Sequence, residues 1–141
     1  ETQQSPAAAM TAWLAGAVTL TGWVCREELA GLYERAWAYV NPSLFEGFGM
    51  PLLEALAAGV PAACSAIEPL VSIAGEAALT FDAKSDEAML AAMERIACDE
   101  TLRQRLTEAG RRRAAEFSWL QAARQTLAAL REAAAVHQNL S

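Results

Sequence analysis

Four short β-prone runs alternate with helical patterns along this chain, and no hairpin signal falls between any two of them. The runs are Val18–Thr21, Trp37–Val40, Val60–Cys64 and Ala77–Phe81. Antiparallel neighbours can be joined by a tight turn, whereas parallel neighbours need a crossover long enough for a helix. The alternation therefore predicts an α/β fold, a parallel sheet with helices on both faces.

The helical stretches carry their own punctuation. Ser5-Pro6 caps a short helix over Ala7–Leu14. Glu27–Ala36 places Leu29, Leu32 and Tyr33 at helical spacing, with acids in its first turn. Pro51 opens a helix to about Ala58, and Gly59 stops it. Pro69–Gly75 reads as a loop or one helical turn. Ser85 caps a helix with Met89, Leu90, Met93 and Ile96 on one face. Two more helices cover about Glu100–Ala115 and Ser118–Gln138, the last presenting Leu120, Ala123, Leu127 and Leu130 as an apolar stripe that invites dimerisation.

Composition narrows the function classes. The chain has 141 residues, 54% of them apolar and 20% charged, which excludes intrinsic disorder and leaves room for a real core. Seventeen acids against eleven bases give a net charge of −6, which argues against nucleic acid as a partner. Cys25, Cys64 and Cys98 are odd in number and widely spaced, so they read as free thiols of a reducing cytosol. Trp13, Trp23, Trp37 and Trp119 read mostly as core, and His137, the sole histidine, as a solvated side chain. The run Met10–Leu20 is too short and too interrupted to cross a membrane. The first residue is Glu1 rather than Met, so a processed product or a piece of something longer is expected.

The chemistry concentrates between Asn41 and Ser65. Glu46 and Glu54 are separated by seven residues, with Gly47 and Gly49 between them and a helix start after them. Glycines let a ligand approach the backbone, and the amides at a helix N-terminus form an anion site. The loop follows a parallel strand, at the end of the sheet where open α/β folds bind ligands. A carboxylate one turn into the helix can accept both hydroxyls of a ribose, and one before the glycines can hold a sugar hydroxyl. Two acids flanking a phosphate site suit a nucleotide-sugar better than a bare nucleotide. The plain alternative is two helix-start acids stabilised by the helix dipole. Phe48 serves equally as a packing residue or a contact.

The segment E-G-F-G-M-P-L-L-E-A-L-A-A-G-V-P resembles the E-x7-E signature of retaining glycosyltransferases of the GT-B fold, in the group one (family four) type. Val18–Val24 with Glu27-Glu28-Leu29 and Leu32-Tyr33, Gly75–Leu79 with Phe81-Asp82, and Phe117-Ser118-Trp119 resemble further stretches of that family in the same order. Cys25 stands where the family often has Ser or Asp. The resemblance implies a Rossmann-like domain of about four strands, the later two-thirds of the C-terminal, nucleotide-sugar-binding domain, with residues 1–141 forming one domain and the acceptor domain absent. It implies sugar transfer from a nucleotide-diphosphate donor with retention at the anomeric carbon, and leans to GDP-mannose. Glu46 would contact the donor sugar near the anomeric centre as the catalytic-site acid. Gly47 and the backbone amides of Phe48, Gly49 and Met50 would hold sugar hydroxyls and the diphosphate. Glu54 would take the ribose hydroxyls, and Trp23 and Val24 would touch the base.

No cofactor and no metal are expected from that resemblance. The partners it implies are the nucleotide-sugar and a glycan or lipid-linked acceptor held by the missing domain, in a cytoplasmic protein that could lie at the inner face of the membrane. A homodimer, or exchange of a strand or helix between copies, is a further option for exposed edges. The isolated chain is expected to be inactive in transfer. Two other readings stay open: a non-catalytic nucleotide or nucleotide-sugar binding module, and an unrelated α/β domain that uses the loop for another phosphate ligand.

Overall fold

Three of the four expected strands form. The computed structural model describes residues 17–138, with side chains as far as residue 135. The helix expected over Ala7–Leu14, Trp13 and the side chain of His137 lie outside the described residues. Helix α1 (Arg26–Arg35) leads into strand β1 (Tyr39–Asn41). The chain continues through α2 (Met50–Ala58), β2 (Ala62–Ser65), α3 (Leu70–Ala74), β3 (Ala78–Phe81), α4 (Asp86–Cys98), α5 (Glu100–Ala115) and α6 (Trp119–Gln138). Two compact units divide it, Glu1–Gly31 and Leu32–Ser141.

Within the first unit, Val18–Thr21 is irregular rather than a strand, which corrects the four-strand expectation. A strand is defined by a partner, and these residues have none among the described residues; Leu20 is half exposed and Thr19 and Thr21 face solvent. The helix that follows is capped from its third turn position. The Cys25 carbonyl accepts from the Leu29 amide at 3.0 Å, and the Cys25 amide donates to Glu28 Oε2 at 3.0 Å. That is the Glu half of a capping box, so the thiol does not need to act as the cap. The same backbone hydrogen bond lowers the Glu28 carboxyl below its ordinary range.

The second unit holds the sheet, in the order β1-β2-β3 with all neighbours parallel. Val40 pairs with Ala63, and Ala63 with Leu79. Strand β2 is buried along its whole length. Successive side chains of a strand point to opposite faces, and two separate cores follow from that. Ala62 and Cys64 pack with Leu52 and Leu56 of α2 and Leu70, Ile73 and Ala74 of α3. Ala63 packs with Ala92 and Ile96 of α4 and Leu102 and Leu106 of α5. Helices therefore cover both faces, as the continuous apolar strands predict. Each large aliphatic side chain taken fully out of water contributes about 1.5–3 kcal/mol, which is why the small Ala-rich β2 relies on Leu52, Leu56 and Leu70 around it.

Helix boundaries follow the sequence closely. Ser85 accepts from the Ala88 amide at 3.1 Å and caps α4. Ser118 accepts from the Gln121 amide at 3.1 Å at the start of α6. Gly59 closes α2 with φ +77°, its amide donating to the last-turn carbonyls. Two expectations fail on burial. Helix α4 buries Ala92 and Ile96, while Leu90 and Met93 face solvent. Trp23, Trp37 and Trp119 are 90%, 64% and 83% exposed rather than core. The apolar stripe of α6 (Leu120, Leu127, Leu130) is exposed, as expected. No helix among the described residues is long and apolar enough to cross a membrane.

Candidate functional site

Strand β1 ends on a polar knot that turns the chain out of the sheet. Asn41 is buried, and its Oδ1 accepts the Ser43 amide at 3.0 Å. Its carbonyl accepts the hydroxyl of Ser65, the last residue of β2, at 3.2 Å. This Asx turn sets the direction of the segment that follows. Ser43 then donates its hydroxyl to Glu46 Oε1 at 2.8 Å, fixing a half-buried carboxylate at the carboxyl edge of the sheet.

Beyond Glu46 the chain must reverse into α2. Gly49 makes that possible, with φ +99° and ψ +38°, a left-handed conformation in which L side chains are strained. A Cβ there would also lie 2.6 Å from Leu70 Cδ2, on a fully buried side chain. Gly47, by contrast, faces open space, with nothing within 4 Å of an added Cβ. One glycine is thus needed for the turn, and the other leaves room for something to approach. The first hydrogen bond inside α2 runs from the Leu53 amide to the Gly49 carbonyl at 3.1 Å. The amides of Phe48, Gly49 and Met50 precede it, and Pro51 has none to offer, so this end of the helix presents positive dipole.

Glu54 lies one turn into α2, as the sequence reading set it. Helix α2 starts at Met50, so its first turn carries no acid. The plain reading of Glu54 as a helix-start acid therefore loses its basis. Glu54 is exposed, and the Tyr33 hydroxyl sits 3.5 Å from its Oε2 while donating to the Pro51 carbonyl at 3.2 Å. Partial burial, then the neighbouring Tyr39 and Glu54, push the Tyr33 phenol up to about 12. Tyr39, whose ring centroid is 6.0 Å from that of Tyr33, is raised by burial first and then by the charge of Glu46, with Glu54 adding to it. Both carboxylates thus add to the shift of one phenol, behind burial as its first cause.

Glu46, Gly47, Phe48, Gly49, Met50 and Glu54 all belong to the second unit and come together around the start of α2. Trp23, exposed, and Val24, half-buried, belong to the first unit. Sequence reasoning missed Ser43, Tyr33 and Tyr39 as neighbours of the two acids. An open, largely apolar groove of about 580 Å³ adjoins the loop, lined by Phe48, Met50 and Leu53 and by Phe117, Trp119 and Ala122. The assembly offers an anion a helix N-terminus and offers hydroxyl donors a carboxylate on either flank.

Similarity to known proteins covers most of the chain. The glycosyl transferases group 1 family matches residues 7–113. An O-antigen chain mannosyltransferase B of Escherichia coli is 37% identical over 112 residues, covering 79% of this chain and 29% of its own length. An MMP alpha-(1->4)-mannosyltransferase of Mycolicibacterium hassiacum is 38% identical over 113 residues, covering 77% of this chain and 28% of its own length. The chain thus spans under a third of the curated relatives it matches. The solved sucrose-phosphate synthase of Thermosynechococcus elongatus superposes with a TM-score of 0.80 at 30% identity, over 91% of this chain and 33% of that one. The expected GT-B type of α/β architecture is borne out, with three strands in place of four. A family match over most of the chain, joined to the same fold in a solved relative, makes this chain a member of the group 1 glycosyl transferases.

Proposed function

We propose that the chain is part of the donor-binding half of a retaining glycosyltransferase, moving a sugar from a nucleotide-diphosphate donor to a glycan or lipid-linked acceptor. What supports this reading is the order along the segment after β1, where Glu46 precedes the α2 N-terminus and Glu54 lies one turn into that helix. The amides of Phe48, Gly49 and Met50 would bind the diphosphate and sugar hydroxyls, beside the open space at Gly47. Glu54 would accept the ribose hydroxyls, each such charge-assisted bond being worth about 1.5–3 kcal/mol. Tyr33, anchored on the Pro51 carbonyl, would limit the directions Glu54 can take.

Glu46, held by Ser43, would face the donor sugar near the anomeric carbon. Its work there is positioning and charge stabilisation, and no covalent role is assigned to it. Trp23 and Val24 would meet the base, largely through backbone. No metal or other cofactor is assigned to the reaction. The two mannosyltransferase relatives support mannose as the sugar, and the donor proposed for it is GDP-mannose. Transfer at a useful rate is not expected from the isolated chain, because the resemblance places acceptor binding in another domain. Attachment at the inner face of a membrane would follow from a lipid-linked acceptor.

Calorimetric titration with GDP-mannose, UDP-glucose, GDP and UDP tests the reading. Binding of a nucleotide-sugar that Glu54→Ala weakens about tenfold or more, ~1.4 kcal/mol, is the expected result. Binding that ignores Glu54→Ala would sink the assignment of that residue. Phosphate binding without preference for any nucleotide would favour an unrelated use of the loop.

A further inference from the structure

The segment Phe117-Ser118-Trp119 has no part in the site as described, yet it touches the loop that forms it. We propose that Phe117 is a positioning residue that holds the Gly47–Met50 amides in place through Phe48. The inference rests on the donor-site reading above and extends it to the joint between α5 and α6.

The Phe117 ring meets Phe48 edge-on, with centroids 6.2 Å apart and planes at 86°. That geometry sets the positive edge of one ring against the negative face of the other, the preferred arrangement of aromatic pairs. Phe117 is itself held. Its amide donates to the Ala114 carbonyl at 3.1 Å, and its side chain packs on the core around α2, α3 and β2. The Arg113 guanidinium carbon lies 4.8 Å from the ring centroid. Arg113 is fixed in turn: Nε donates to the Ile73 carbonyl at 3.0 Å, Nη2 to the Ser72 carbonyl at 2.7 Å, and Glu116 pairs with it. A continuous chain of contacts therefore runs from the last turn of α3 through Arg113 and Phe117 to Phe48.

The loop needs such a hold. Leu44 and Phe45 are 65% and 88% exposed, and nothing packs at Gly47. The loop is tied at its start by Ser43 to Glu46 and at its end by Gly49 against Leu70. Between those ties, Phe48 is the side chain able to carry packing force to the amides, and Phe117 is its aromatic partner.

The test uses the full chain with Phe117→Leu, which keeps apolar volume, and Phe117→Tyr, which keeps the ring. Backbone hydrogen exchange in the unliganded protein and calorimetric titration with GDP-mannose are read side by side, with thermal melts of each variant. Phe117→Leu should speed exchange at Gly47–Met50 and leave β2 and β3 protected. It should weaken binding about three- to tenfold. Phe117→Tyr should restore both readouts, and Phe48→Leu should reproduce the loss without adding to that of Phe117→Leu. Unchanged loop exchange in Phe117→Leu overturns the proposal, as do additive losses in the double variant. If the wild type binds none of the nucleotides, the donor reading falls. The exchange result then decides by itself whether Phe117 holds the loop.

Discussion

Gly49→Ala should cost about 2–5 kcal/mol of folding stability, from two sources that can be separated. The backbone at Gly49 has φ +99°, and placing an L residue in the left-handed region costs about 1–2 kcal/mol. The new Cβ would meet Leu70 Cδ2 at 2.6 Å, and Leu70 is fully buried, so it cannot swing into solvent. Overpacking of that kind adds about 1–3 kcal/mol. Against a domain stability of about 5–15 kcal/mol, the variant should still fold and its urea midpoint should fall clearly. Leu70→Val deletes the δ carbons that the new methyl would strike. The double variant should therefore cost less than the two singles combined by about 1 kcal/mol or more. Gly47→Ala is the control: its Cβ meets nothing and its stability should stay within about 0.5 kcal/mol of wild type. A loss below about 1 kcal/mol for Gly49→Ala would refute the left-handed turn, and additive single and double variants would refute the clash.

Two further outcomes are expected. Arg103 is nearly buried, donates to the Ile96 and Ala97 carbonyls at 3.0 and 2.6 Å, pairs with Glu100 and lies 4.3 Å over the Trp37 ring. Arg103→Ala should cost about 2–4 kcal/mol in urea denaturation, because it strands the last carbonyls of α4 and uncovers Trp37; a change under about 1 kcal/mol would contradict that role. The second concerns alkaline pH. The folded protein raises Tyr33 to about 12 and, through burial, the Cys64 thiol to about 11. Both shifts favour the neutral form, so their contribution is complete below the unfolded values near 10 and 9. It is lost as pH rises through about 11 for Cys64 and 12 for Tyr33. Stability measured between pH 8 and 12 should fall across that window, and Tyr33→Phe should flatten the upper part. An unchanged profile in Tyr33→Phe would contradict it.

Much of the fold was legible because its signals are local. Gly59 ends α2, Ser85 and Ser118 cap α4 and α6, and each acts within a few residues of itself. The errors arise where a distant partner decides. The strand expected at Trp37–Val40 forms at Tyr39–Asn41 because Trp37 is drawn out of the sheet by Arg103 and by the Ala97 carbonyl, which accepts its Nε1 at 3.4 Å. Val18–Thr21 has the composition of a strand but no pairing partner among the described residues, and propensity alone does not make a ladder. On α4 the sequence pattern gave equal weight to Leu90 and Met93. The buried stripe runs instead through Ala92 and Ile96, which share a core with Ala63 of β2.

The site divides in the same way. Glu46, Glu54 and the glycines between them were readable as a spacing, but the reason each stands where it does was only partly so. Ser43 lies three residues before Glu46, a Ser-x-x-Glu spacing that could have been read as a hydroxyl–carboxylate pair. Asn41 carries an Asx-turn signal that the sequence shows and the loop reading absorbed. Tyr33 has no local signal toward Glu54, because the two lie 21 positions apart with a whole strand between them. The division has a physical origin. A binding loop needs freedom at the point of contact, so its own sequence is rich in glycine and poor in anchors. The anchors must then come from elements already rigid for other reasons: Ser65 at the end of β2, Leu70 in α3, and Phe117 where α5 passes into α6. A motif can therefore reveal which atoms would meet a ligand, while the residues that keep those atoms in place are dispersed along the chain and become visible only when it is folded.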